Sequence, residues 1–179
     1  MPDTALSQVK IHDSPATDPA ALRRCLGNYG TGVAIMTTCH DGVRAGITAN
    51  SFAPVSLDPP LVLWSVTRTS TSAPVFLQAG HFAVNILAED QIDLCKAFAK
   101  SGPDKFADVA CGPGLGDAPV LMGALATLEC RVVNKVDGGD HVVMIGEVER
   151  MRSAPGTPLL FVQGRFATAA DPLPARQEA

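Results

Sequence analysis

The sequence predicts an antiparallel β-barrel with helices packed on its outside. Three observations lead there: candidate strands follow one another through hairpin turns, the helices between them are few and short, and no linker or internal repeat divides the chain. At 179 residues the chain is long enough for one full hydrophobic core. A hydrophobic fraction of 46% with 18% charged residues fits a compact domain and not a disordered chain.

Residues 1–17 read as an N-terminal arm, 18–169 as the barrel domain and 170–179 as a polar tail. Asp18-Pro19 opens a helix carrying Leu22 and Leu26 at helical spacing, with Arg23 and Arg24 toward its end and Gly27 as its stop. Gly30-Thr31-Gly32 follows, and Val33 to Cys39 reads as a strand. His40-Asp41-Gly42 is a hairpin signal leading into a second strand over Val43–Thr48. A polar cluster, Thr48-Ala49-Asn50-Ser51, precedes Phe52 and a turn at Asp58-Pro59-Pro60. The apolar run Leu61–Val66 is the next strand.

A second hydroxyl-rich cluster, Arg68-Thr69-Ser70-Thr71-Ser72, then meets a short helix beginning at Ala73. Ser72 is its candidate N-cap, Pro74 fits its first turn and Gly80 ends it. Phe82–Leu87 is a strand whose Asn85 is either a satisfied core amide or a ligand-facing one. Glu89–Lys100 reads as a helix with Ile92, Cys95, Phe98 and Ala99 on one stripe. Its end leaves Lys105-Phe106 in a loop, and residues 107–123, rich in Gly and Pro, read as irregular.

Ala126–Val136 alternates, with Ala126, Leu128, Cys130 and Val132 on one face and Thr127, Glu129 and Arg131 on the other. Asp137-Gly138-Gly139-Asp140 turns it into a second long strand, His141–Arg150. Leu159–Val162 and Arg165–Thr168 form a last pair around Gly164.

Several function classes are excluded. A net charge of −4 without any Lys/Arg run offers nucleic acid no basic surface. The five cysteines are odd in number and widely spaced, so neither a zinc site nor a disulfide framework is expected, and buried free thiols are. Gly112-Pro113-Gly114-Leu115-Gly116 is no dinucleotide fingerprint, because Asp117 stands where the third glycine belongs, and there is no P-loop. The N-terminus lacks a signal peptide's basic end and apolar core, and no apolar run reaches membrane-spanning length. A soluble cytoplasmic protein with no membrane partner is expected.

The two hydroxyl clusters flank one strand, which places polar turns where both ends of an elongated ligand would lie. In the second cluster an arginine and several hydroxyls meet a helix N-terminus, an arrangement suited either to a phosphate or to an ordinary capped turn.

Taken in order, Thr31-Gly32-Val33, Thr48–Phe52, Ser56–Pro60, Ser65–Ser70, Gly80–Leu87, Lys105-Phe106, Leu128–Val132, Gly139–His141 and Gly164–Phe166 resemble the short-chain flavin reductases. That family has an FMN-binding, antiparallel split-barrel fold and acts as the reductase component of two-component flavin-dependent monooxygenases. The resemblance implies an NAD(P)H:flavin oxidoreductase that uses NADH or NADPH, binds FMN or FAD, forms a homodimer and serves a partner monooxygenase. It implies flavin contacts from Thr31, Gly32, Val33, Thr48, Ala49, Asn50 and Ser51. A second flavin-binding segment comprises Ser65, Val66, Arg68, Thr69, Ser70 and Ser72, with the later hydroxyls on the phosphate. Lys105 and Phe106 match a basic–aromatic pair that closes over the phosphate side, and His141 the position of nicotinamide docking. Taken alone, His141 also reads as a strand-initiating residue beside a Gly-rich turn.

Two residues depart from the family pattern: Asn50 where serine is common and Phe166 where tyrosine is common. Hydride transfer between a nicotinamide and a flavin needs no protein nucleophile, paired carboxylates or metal, and the sequence offers none of these arrangements. Two alternatives use the same barrel. One is a flavoprotein whose tightly held FMN reduces a non-flavin acceptor; the other is a non-catalytic flavin-binding protein.

Overall fold

The structure, a computed structural model, describes residues 13–102 and 104–169. The expected tail, His12 and most of the expected arm lie outside the described residues. Helix α1 (Pro19–Leu26) begins where Asp18 Oδ1 accepts the N–H groups of Ala20 and Ala21, and Pro19 starts the helix without needing a donor. Its apolar pair does not enter the core: Leu22 is 45% and Leu26 62% exposed, and only Ala21 is buried.

The strands are β1 (Thr31–Gly32), β2 (Ala34–His40), β3 (Val43–Ala49), β4 (Ala53–Leu57), β5 (Pro60–Thr67) and β6 (His81–Ile86). They continue with β7 (Cys111–Pro113), β8 (Pro119–Leu121), β9 (Ala126–Gly138), β10 (His141–Ser153), β11 (Leu159–Val162) and β12 (Arg165–Thr168). Helices α2 (Ala73–Gln78) and α3 (Ile92–Ala99) complete the fold. One seven-stranded sheet, ordered β3-β2-β6-β9-β10-β5-β4 and antiparallel throughout, curls until β3 faces β5 across an open seam. This is the split antiparallel barrel with peripheral helices.

Alternation fills its inside. Val62, Trp64 and Val66 of β5 point inward, against Met36, Phe76, Phe82, Val84, Cys130 and Met144. Trp64 meets Phe76 edge-on at 4.8 Å and Phe82 at 6.0 Å between ring centres. A second apolar layer, formed by Ile35, Leu87, Cys95, Phe98, Phe106, Leu121 and Leu159, packs α3 against the outside of the sheet. The small sheet β1-β11-β12 closes one end. The β2–β3 turn places both Asp41 (φ 48°) and Gly42 (φ 77°) in the left-handed region, the geometry a two-residue hairpin requires.

Several expectations need correction. The strand expected over Val33–Cys39 is interrupted at Val33, whose backbone leaves β2 to bond with Leu159 and Leu87. Strand β4 occupies Ala53–Leu57, a stretch given no strand between Phe52 and the expected Asp58-Pro59-Pro60 turn, and carries a bulge between Pro54 and Ser56. Residues 107–123 contain a two-stranded ribbon, β7–β8, joined by a short 3₁₀ turn.

That ribbon covers the outer face of β2, β6 and β9, so Thr127 and Glu129 are buried on a face read as the opposite of the apolar one. Three fully buried polar side chains from adjacent strands fasten it. Thr37 donates to the Pro119 carbonyl, Asn85 accepts the Leu121 N–H, and Glu129 accepts the Leu115 N–H. Asn85 is therefore a satisfied core amide. Glu129 is also paired with Arg150 and Arg152, which a buried carboxylate requires. Of the cysteines, only Cys95 and Cys130 are buried, while Cys25 is exposed. Burial, with Glu129 and Glu149 nearby, pushes the Cys130 thiol up to about 12. His40 is half-buried and lies 3.5 Å from Asp41.

Candidate functional site

Strand β3 directs Ala45, Ile47 and Ala49 toward the barrel interior, so Arg44, Gly46 and Thr48 share the opposite face. On that face Gly46 lies under the ring of Phe98. A Cβ there would fall 2.4 Å from Phe98 Cε1, so only glycine fits. Thr48 Oγ1 donates to the Cys95 carbonyl at 2.6 Å, holding α3 on the strand.

The Gly46 carbonyl collects two donors, Ser72 Oγ at 3.2 Å and Lys105 Nζ at 3.0 Å, and Lys105 also donates to the Phe98 carbonyl. A cleft of about 210 Å³ opens here, lined by Arg44, Gly46, Thr71, Ser72, Lys105 and Phe106 among others. Burial lowers Lys105 from its ordinary value of 10.5. No carboxylate lies within ion-pair distance of Lys105 among the described residues.

At the other end of the same strand, Ser51 reaches across the seam to β5. Its Oγ accepts the Ser65 N–H at 3.0 Å and donates to the Ser65 carbonyl at 3.2 Å. The segment Ser65–Ser72 thus runs antiparallel to Gly46–Ser51 and is fixed to it at both ends. About five residues of extended chain, roughly 17 Å, separate the two fastenings. Of the two hydroxyl clusters, Thr71 and Ser72 of the second line the cleft, whereas Thr48–Ser51 lie beyond its lining, toward the Ser65 end. The hairpin register, Ala34 opposite Ala49, leaves Thr31–Val33 at the end where Asn50 and Ser51 lie. Thr31 Oγ1 is buried there with no hydrogen-bond partner among the described residues.

Arg68 is committed elsewhere. Its Nε donates to the Gly139 carbonyl at 3.0 Å, a terminal nitrogen pairs with Asp137 at 2.6 Å, and its backbone N–H bonds Asp140. This pairing holds the Asp137 carboxyl below the usual carboxylate range. The arginine therefore braces the β9–β10 turn, which presents His141 opposite Thr67. His141 Nδ1 and Asp140 Oδ1 lie 2.7 Å apart, and the histidine lowers the Asp140 pKa.

Ser72 precedes α2 but its hydroxyl does not cap it: that oxygen is turned to Gly46, and the Ser72 N–H bonds Ser70 Oγ instead. Thr67 and Thr69 hydroxyls share a bond at 3.2 Å. Val33, Val66 and Phe106 are buried in the two cores, which leaves chiefly their backbones to a ligand, while Asn50 and Ser51 are exposed. Sequence reasoning missed Arg44, Gly46 and Thr71 as lining residues. The alternation through Arg44, Gly46 and Thr48 carried that signal.

Comparison with known proteins agrees with this architecture. The flavin reductase like domain family matches residues 26–170. The reductase subunit HsaB of a flavin-dependent monooxygenase from Mycobacterium tuberculosis is 40% identical over 156 residues, covering 86% of this chain and 83% of that protein. The FMN reductase (NADH) SmoA of Agrobacterium fabrum is 42% identical, covering 82% of this chain and 83% of its own length. The solved NADH:FAD oxidoreductase SgcE6 of Streptomyces globisporus, in complex with NAD and FAD fragments, superposes with a TM-score of 0.85. It is 34% identical and covers 93% of this chain and all of its own. The cleft beside β3 therefore sits in a chain that belongs to the flavin reductase like domain family.

Proposed function

We propose that this protein is an NAD(P)H:flavin oxidoreductase that supplies reduced flavin to a partner monooxygenase. Beyond family membership, the observation that carries this reading is Lys105: a partly buried ammonium held by two carbonyls, without a carboxylate, at the mouth of a hydroxyl-lined cleft. A cation so placed favours an anionic ligand group. The flavin's phosphate is the group that fits, and the donor set of Lys105, Ser72 and Thr71 suits it.

A bound flavin supplies the ring that accepts a hydride from reduced nicotinamide. The chain's residues hold and orient the two ligands. Lys105 and the hydroxyls from Ser70 to Ser72 fix the phosphate end, whether the flavin is FMN or FAD. Thr48, Ala49, Asn50 and Ser51 line the ring end, with Thr31–Val33 beside them and Ser65–Thr69 as the opposite wall. Beyond the last β2–β3 pair, the N–H groups of Asn50 and Ser51 are suited to stabilising charge on the reduced ring. His141, braced through Arg68 and Asp140, docks the nicotinamide of NADH or NADPH.

The working protein is a cytoplasmic homodimer in this reading. Val55 and Leu57 stand exposed on β4, the edge strand of the large sheet, apolar positions suited to contact with a second copy. No described helix is long and apolar enough to cross a membrane. The test is nicotinamide oxidation, followed by absorbance, with and without added FMN or FAD. Flavin-dependent oxidation is expected; none with either nicotinamide refutes the reading. Yellow colour surviving dialysis, with turnover independent of added flavin, would favour a tightly held flavin instead.

A further inference from the structure

We infer that Arg44 is a specificity-determining residue of this site, placed to hold the second phosphate of a dinucleotide flavin and so to favour FAD over FMN. The inference rests on the flavin reading above and assigns the far end of the same cleft. Along β3, Thr48, Gly46 and Arg44 follow one another on one face, about 7 Å per step. Ser72 and Lys105 converge on Gly46, so Arg44 stands one step farther from the ring end than the first phosphate position.

Arg44 is held where a ligand would meet it. Its guanidinium lies over the Phe106 ring, 5.0 Å from the centroid, and 3.9 Å from Asp104. None of the guanidinium N–H groups makes a hydrogen bond among the described residues, whereas Arg68's guanidinium spends two on the β9–β10 turn. The side chain is 44% exposed. Among the described residues Asp104 is the one carboxylate lining the cleft, and its Oδ1 already accepts the Phe106 N–H at 2.9 Å. Two cations therefore face one carboxylate in a chain of net charge −4. Lys105 meets a mononucleotide's single phosphate; Arg44, stacked on Phe106 and loosely paired with Asp104, still has its planar fork of donors to offer a second phosphate one step beyond.

The experiment is fluorescence titration of riboflavin, FMN and FAD with the full chain and with Arg44→Met, which keeps an apolar stem over Phe106 and removes the charge. Loss of a charge-assisted contact is expected to weaken FAD by about tenfold while FMN and riboflavin change less than about twofold. ADP should compete with FAD on the unaltered protein and not on the variant. An equal loss for FMN and FAD, or no loss for either, overturns the assignment of Arg44 while leaving the flavin reading intact. Failure of the unaltered protein to bind any flavin overturns both. Matching melting curves check that the variant is folded, and Arg44→Lys should recover only part of the FAD affinity.

Discussion

Ser51 and Ser65 are joined twice, because one hydroxyl both accepts the Ser65 N–H and donates to the Ser65 carbonyl across the seam of the barrel. No ladder bonds pair β3 with β5, so this side chain does there what backbone pairing does elsewhere in the sheet. Ser51→Ala is expected to lower stability by about 1 kcal/mol, the net worth of such bonds at a solvent-exposed position. It should also weaken riboflavin and FMN alike, because it loosens the ring end of the groove and not its phosphate end. Ser51→Thr should retain both. Thermal melts and fluorescence titration check this; a loss confined to FMN would contradict it.

Gly46→Ala tests the close approach of α3. The added carbon would meet the Phe98 ring, so α3 or the strand must shift, an overpacking cost of about 1–3 kcal/mol. Phe98→Leu in the same chain should recover part of it, giving a coupling that a double-mutant cycle reads by denaturant unfolding. Additive losses would mean that the ring is not the obstacle.

The Lys105 ammonium gives the site a pH signature. Burial lowers its pKa, so the charge is lost from the folded protein at a lower pH than from an unfolded lysine. FMN affinity should therefore fall as pH rises through the folded value, below 10.5, while riboflavin affinity stays level. The linkage to folding has the opposite sign. Between the folded value and 10.5 only the unfolded chain keeps the proton, so stability without ligand should rise with pH across that window. Lys105→Met should abolish both trends.

His141→Ala is expected to raise KM for the nicotinamide several-fold, on the order of 1 kcal/mol, with a smaller change for flavin. Steady-state kinetics with each substrate varied in turn reads the split. Equal effects on both would indicate that the residue shapes the β9–β10 turn, where it pairs with Asp140, and does not dock a ligand.

The parts of the fold legible in sequence are those with local causes. Asp18-Pro19 starts α1, and Asp41-Gly42 makes its hairpin, because capping and positive φ are properties of a few adjacent residues. Gln163-Gly164 makes the same turn, found through its glycine. What stayed hidden depends on partners distant in the chain. Alternation in β9 separates Glu129 from Cys130 but does not reveal that a ribbon covers the Glu129 face. Strand β4 is disguised by Pro54 and its bulge.

The candidate site divides in the same way. The hydroxyl clusters were visible as composition, whereas the turning of Ser72 toward Gly46 and of Arg68 toward Asp137 comes from strands brought alongside by the barrel. A run of serines before a helix reads as a cap in one dimension; here it became a clasp. Arg44 was missed: it lies in the strand expected over Val43–Thr48, but nothing local said which of its faces would border a cleft.

Thr37, Asn85 and Glu129 act as three posts for the outer ribbon, and they grip its main chain, not its side groups. Outward side chains of the ribbon can then change, but Gly114 and Gly116 must stay glycine, because a Cβ would fall 2.6 Å from the Ala118 carbonyl and 2.7 Å from His81 Nδ1; altering any post strands a donor or acceptor away from water. The flank is thus held by three side-chain fixings and two closely packed glycines, and its remaining side chains can vary without moving the cleft beside Gly46 on the far side of β2.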